Sequence, residues 1–160
     1  MLTSLPRHRI CFAALCAATF LFAACRGANV PGPQMDVSFH VPGEPAPRSL
    51  SDFRGRLVAF TLWTPGCSQC DQQSAALDAL AKRFSADGLV CFTLHDRAQE
   101  FTVVGLSILH GALDPSQAAT LPSARPATIL LDREGRIRGQ FDRFRDADSL
   151  ASELQPLLPR

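Results

Sequence analysis

Apolar residues come in short blocks along this chain, and the period of the pattern changes from block to block. Leu57–Trp63 (Leu-Val-Ala-Phe-Thr-Leu-Trp) is a nearly continuous apolar run between Gly55 and Pro65, as expected of a strand covered on both faces. Helical spacing follows: Ala76, Leu77, Leu80, Ala81 and Phe84 recur at three- and four-residue intervals, and Gly88 closes the predicted helix. Residues 89–94 form a second buried strand, completing a βαβ unit whose crossover is expected to be right-handed. The middle is less regular. Residues 96–101 suit one or two helical turns and 106–109 a short strand, while Asp114 and Pro115 read as the cap and first residue of a helix over 116–121. Ala127–Leu131 is a third strand, residues 132–135 a hairpin turn, and 136–141 the antiparallel return. Asp146 can cap a last helix that presents Leu150 and Leu154 on one face before Pro156. A βαβ unit, a hairpin and a helix in that order predict an α/β sandwich, a mixed central sheet flanked by helices.

The N-terminal segment has a different pattern. Arg7, His8 and Arg9 stand in a head without acids, and an apolar run from Ile10 to Ala24 ends at Cys25. About 15 apolar residues suit a secretory signal, whereas a membrane span takes about 20. Leu21-Phe22-Ala23-Ala24-Cys25 resembles a bacterial lipoprotein box, which implies removal of residues 1–24 and lipidation of the Cys25 thiol. The alternatives are an uncleaved N-terminal anchor and ordinary secretion. Each places the domain outside the cytoplasm, in the bacterial periplasm or on the outer face of the cell envelope. Residues 25–47 contain Pro31, Gly32, Pro33, Pro42, Gly43, Pro45 and Pro47, so a Pro/Gly-rich tether with a short strand at 37–41 is expected. The folded domain is then expected over 48–160.

Charge narrows the function. Without Arg7 and Arg9, the 16 basic residues against 15 acidic become 14 against 15, a balance that argues against nucleic acid as the partner. The six cysteines fall into Cys11, Cys16 and Cys25 at the apolar head, and Cys67, Cys70 and Cys91 in the domain. Three are too few to staple a scaffold, which leaves catalysis, metal binding or burial. Cys91 lies in the apolar run 89–94 and is expected in the core, with Phe53, Phe60, Phe84, Phe92 and Phe141. His95, at the end of that run, is expected at the surface or in a loop.

Cys67-Ser68-Gln69-Cys70 begins where the first predicted strand gives way to its helix. Unpaired N–H groups and the positive end of the macrodipole favour a thiolate there, so Cys67 is the expected nucleophile. Cys70, one turn deeper on the same face, can attack a mixed disulfide and release the substrate. A zinc site would need two further ligands, and Cys91, His40, His95 and His110 have no paired ligand spacing. An inert structural disulfide is the other bland alternative.

Three stretches carry a resemblance: the run from Leu50 to Phe60 (Leu-Ser-Asp-Phe-Arg-Gly-Arg-Leu-Val-Ala-Phe), Trp63 before the cysteines, and the run from Pro126 to Ile137. Over residues 37–158 the chain resembles the TlpA/ResA branch of thioredoxin-like proteins. That resemblance implies a thioredoxin-like sandwich exchanging disulfides with envelope protein thiols, apocytochrome c among them. No metal, nucleotide or flavin motif appears, so no cofactor is expected and electrons should pass to or from a membrane dithiol donor or acceptor; the lipid-anchored protein is expected to be a monomer. Pro126 matches the family's cis-proline, Arg125 is expected to face the substrate groove, and Trp63 to border it. Some positions depart from the pattern. Thr61 stands where thioredoxins place a buried acid, Gln73 where relatives of ResA often have a glutamate, and Gly66 where a bulky side chain is usual. Asp71 is close to the pair but is expected to be exposed.

Two other functions fit parts of the sequence. Thr64-Pro65-Gly66-Cys67 also resembles the peroxidatic motif of bacterioferritin-comigratory peroxiredoxins, which implies a thiol peroxidase using Cys67. Against it, Arg125 is one residue from that class's arginine, Phe60 replaces its proline, and Cys70 is too near to be its resolving cysteine. The third class is a non-catalytic thioredoxin-fold binding module.

Overall fold

The computed structural model describes residues 32–96 and 107–159. The leader, Cys25 and the helical turns expected after Asp96 fall outside them. The strands are β1 (Ser38–His40), β2 (Arg48–Ser49), β3 (Leu57–Trp63), β4 (Leu89–His95), β5 (Leu109–Leu113), β6 (Ala127–Leu131) and β7 (Ile137–Phe141). Among the described residues two α-helices accompany them, α1 (Ser68–Phe84) and α2 (Ala147–Leu154). The strands form one sheet in the order β2-β1-β5-β4-β3-β6-β7. β3, β4 and β5 run parallel; β1, β6 and β7 are antiparallel to their neighbours. The mixed sheet expected from the alternation of patterns is the one observed.

β3 and β4 pair over their whole length, from Leu57 opposite Leu89 to Trp63 opposite His95. Side chains alternate along a strand, so this pair feeds two cores. Val58, Phe60, Leu62, Phe92 and Leu94 face one side with Phe39, Phe53, Ile129 and Leu131. Phe92 is the hub there, its ring centroid 5.3 Å from Phe39, 5.5 Å from Phe53 and 5.4 Å from Phe60. Leu57, Ala59, Leu89 and Cys91 face the other side with Leu77, Leu80 and Phe84 of α1 and Leu150 and Leu154 of α2. Of the phenylalanines expected in the core, Phe53, Phe60, Phe84 and Phe92 are buried, and Phe141 packs half-buried at its margin.

The expected tether is corrected over its described part. From Gly32 onward the chain lies along the start of β7: Gly32 N–H donates to the Ile137 carbonyl at 2.8 Å, and Ile137 N–H to the Pro33 carbonyl at 3.1 Å. Val37 and Phe39 are then fully buried, so the packed domain begins well before residue 48. Proline holds this stretch extended, and extended backbone sends every second side chain inward. The strand expected at 37–41 is present as β1, and Pro42 to Pro47 make only the connection to β2.

Two weaker expectations shift. The strand placed at 106–109 begins at Leu109 instead, because β5 finds its register by pairing Phe92 with Leu109 and Thr93 with His110. The helix over 116–121 is a 3₁₀ turn, Pro115–Thr120, which buries none of its residues and so has no core face to extend it. Its Asp114 cap is as expected, accepting from Ser116 N–H at 2.9 Å. At Gly111, β5 passes close to its neighbours. A Cβ there would stand 2.5 Å from Phe39 Cδ2 and 3.3 Å from Leu94 Cδ2. Gly111→Ala should therefore cost about 1–3 kcal/mol through overpacking, read as a lower urea midpoint with an unchanged slope.

Candidate functional site

The site lies where β3, having run through the core, turns into α1. Gly66, at φ +79°, supplies the left-handed residue that the connection needs. Cys67 is then the N-cap of α1, and Cys70 sits in its first turn. The two sulfurs are bonded, with Cα atoms 5.3 Å apart. Cys67 is half-buried and Cys70 fully buried, so only the first sulfur can be approached from solvent. Ser68 and Gln69 between them are exposed, as is Gly66.

Beneath α1 the end of the sheet becomes polar. Thr61 on β3, Thr93 on β4 and Thr128 on β6 share one register row and are all fully buried. Thr61 Oγ1 donates to the Ala127 carbonyl at 3.2 Å, and the Thr128 hydroxyl reaches Thr61 Oγ1 at 3.5 Å. Ser74 of α1 donates to the Cys70 carbonyl at 3.0 Å, and its oxygen is 3.1 Å from that of Thr93. Neutral hydroxyls that satisfy one another thus occupy the position where a buried carboxylate was missed. Gln73, also fully buried, spends its amide elsewhere: it donates to the Arg145 carbonyl at 3.0 Å and accepts from Arg145 N–H at 2.8 Å, joining α1 to the segment before α2.

Pro126 follows a cis peptide bond. The pairing of Leu62 with Ala127 sets it across from Trp63, at the same end of the sheet as the cysteines. Arg125 differs from the expected groove-facing residue. Its Nη1 turns back on its own loop, donating to the Pro122 carbonyl at 2.6 Å and the Ala124 carbonyl at 2.8 Å. These loop carbonyls have no ladder partner, and a five-donor guanidinium nearby serves them.

Trp63 has a second neighbour that periodicity did not reveal. Its Nε1–H donates to Asp71 Oδ1 at 2.9 Å, and its rings lie 4.7 Å from the ring of His95. Asp71 is exposed as expected. His95 is not: only 4% of it is accessible, which corrects its expected place at the surface. The full-length β3–β4 pairing draws it beneath Trp63, and its Nε2 is 3.1 Å from Nδ1 of His110 on β5. Burial pushes His95 down to about 4, the neighbouring His110 adds to the shift, and Asp96 and Asp71 partly offset it. Burial lowers His110 as well. A histidine ending each of two apolar runs was the available signal, but their adjacency depends on strand order. Cys91, by contrast, is the buried core thiol expected, pushed up to about 12 by burial, with Asp78 adding to it. Among the described residues no three His, Cys, Asp or Glu side chains group as a metal site, and no helix is long and apolar enough to cross a membrane.

A mixed sheet with a disulfide at the head of α1 and a cis-proline at the same end of the sheet is a thioredoxin-like α/β fold. Solved structures share it. A secreted thiol-disulfide isomerase from Corynebacterium glutamicum is 23% identical over 78% of this chain and 83% of its own, with a TM-score of 0.64. The thioredoxin domain of a thiol-disulfide oxidoreductase from Bacteroides vulgatus is 19% identical over 78% and 96%, TM-score 0.63. An exposed lipoprotein thioredoxin from Streptococcus pneumoniae is 21% identical over 77% and 100%, TM-score 0.61. At these identities the likeness is one of fold. No protein-family model matches the sequence, and none of the curated proteins matches it significantly.

The buried histidine has a consequence for stability. Its folded value, about 4, lies below the ordinary 6.5, so between them the unfolded chain holds a proton that the folded one does not. Stability should be full above pH 6.5 and fall as pH drops toward 4, by up to about 1.4 kcal/mol per pH unit for that one proton. Urea melts at pH 7 and 4.5 check this: His95→Gln should lose less on acidification than the parent.

Proposed function

We propose that this protein is a thiol–disulfide oxidoreductase of the bacterial cell envelope, with Cys67 as the attacking sulfur and Cys70 as the resolving one. The observation that carries this reading is the bond between a half-exposed and a buried cysteine at the first turn of α1. Helix N–H groups and the macrodipole favour a thiolate on Cys67 when the pair is reduced. In the reducing direction, that thiolate attacks a substrate disulfide, forming a mixed disulfide and releasing the first substrate sulfur as a thiolate. The released thiolate takes the Cys70 proton, and the Cys70 sulfur then attacks Cys67, freeing the second substrate sulfur and closing the Cys67–Cys70 bond. Two electrons pass to the substrate, and oxidation runs the same steps backwards.

The β3–β6 register supports a substrate strand lying beside Pro126, with Trp63 on its flank and Arg125 shaping the loop from within. Substrates are envelope protein thiols or disulfides, apocytochrome c among them, and a membrane dithiol protein returns or removes the electrons. The lipoprotein-like box supports anchorage through a lipidated Cys25.

Cys67→Ser should reduce insulin-disulfide turnover to the uncatalysed background. Cys70→Ser should retain attack but accumulate the mixed disulfide, visible as added mass on the protein. Peroxide consumption that survives Cys70→Ser but not Cys67→Ser would overturn this in favour of a thiol peroxidase, and inactivity in both assays would leave a binding module. Cys25→Ser should abolish lipid labelling and move the protein out of the membrane fraction.

A further inference from the structure

The buried histidines are not used by the exchange chemistry, yet they touch the residue that precedes the reactive loop. His110 on β5, His95 on β4, Trp63 on β3 and Asp71 in the first turn of α1 form one line of contacts: Nδ1 to Nε2 at 3.1 Å, ring to ring at 4.7 Å, and Nε1–H to Oδ1 at 2.9 Å. This line crosses three strands and ends on the helical turn that holds the disulfide. Trp63 has an exposed support in Asp71 and a buried one in His95. Backbone joins the same point, since Asp96 N–H donates to the Trp63 carbonyl at 3.3 Å.

We propose that the His95–His110 pair is a positioning element for Cys67, acting through Trp63 and Asp71, and that it works only while the two rings share one proton between them. A ring-to-ring hydrogen bond needs one nitrogen with a hydrogen and one without. A first added proton leaves that hydrogen bond in place but puts a cation beneath Trp63; a second sets two donors and two cations against each other, and the support under Trp63 is lost. Among the described residues the ionisable groups that act on His95 are its partner His110, Asp96 at the end of β4 and Asp71 from α1. Both carboxylates favour the protonated ring and burial opposes it, so the uncharged pair prevails until the medium is acid. With Trp63 supported, the loop through Gly66 holds Cys67 at the helix head. Without it, the thiolate is stabilised less.

This inference rests on the thiol-exchange reading of Cys67, but its test does not need a substrate. Trp63 is the sole tryptophan, so indole emission of the full exported chain reports on this contact directly. In the oxidised protein, emission should fall as pH drops toward 4, because a protonated imidazole against the indole quenches it. The double variant His95→Gln/His110→Gln, whose amides keep an uncharged hydrogen bond, should give a flat profile. In the reduced protein, iodoacetamide alkylation of Cys67 at pH 7 should slow about three- to tenfold in His110→Leu, a rise of up to about one unit in the thiol pKa, and recover in the double glutamine variant. The proposal is overturned if the double variant keeps the acid-dependent emission of the parent. It is equally overturned if alkylation in the double variant is as slow as in His110→Leu, or if a folded His110→Leu alkylates at the parent rate. Should His110→Leu not fold, His110→Gln alone serves, with the emission profile deciding. A parent that meets both expectations yet leaves insulin unreduced would refute the proposed function and not the role of the pair.

Discussion

The parallel pairing of β3 with β4 over seven residues, Leu57 to Trp63 against Leu89 to His95, is the constraint from which the rest of the structure follows. Each residue on one strand is matched on the other, so their alternating side chains separate cleanly into two cores. One core is centred on the Phe92 ring cluster; the other is mostly aliphatic and closed by α1 and α2. Because both strands end together, the last polar residues of each also arrive together. Thr61 with Thr93 and Trp63 with His95 form a polar margin on the α1 side, under the first turn of the helix. The Cys67–Cys70 pair therefore sits at the edge between a dry core and a satisfied polar layer.

That layer bears on how the cysteines work. A buried carboxylate beside Cys70 would act as a proton acceptor but would cost free energy to hold ionised away from water. The hydroxyls of Thr61, Ser74, Thr93 and Thr128 avoid that cost by bonding to each other and to backbone carbonyls. Gln73 similarly gives up a chemical role for a structural one, both ends of its amide committed to Arg145. Under the proposed function, the substrate sulfur itself accepts the proton. Among the described residues the titratable groups near the loop are the two histidines, one strand and two strands away from Trp63, together with Asp71 and Asp96.

Much of this architecture was legible in the chain. The runs at Leu57–Trp63, 89–94 and Ala127–Leu131 are strands because no polar face interrupts them, and α1 is a helix because its apolar residues return every three or four positions. Gly88 and Asp146 act as the helix stop and cap that their residue types imply. Less was legible where local composition and tertiary packing disagree. The Pro/Gly content of residues 25–47 suggests a free tether, but Val37 and Phe39 find a core that the local sequence does not display. His95 ends its strand as a polar residue, and polarity alone suggests exposure; its neighbours are supplied by strands far away in sequence.

By itself, then, the sequence determined the α/β alternation, the cysteine pair and its place at a strand-to-helix junction, because these depend on spacing and local conformation. The tertiary structure alone decided which side chains meet beneath that junction. Strand order set β5 beside β4 and β6 beside β3, and so brought His110 to His95 and Thr128 to Thr61. Such contacts are set by the pairing of distant strands, a property of the whole sheet that no window of residues contains.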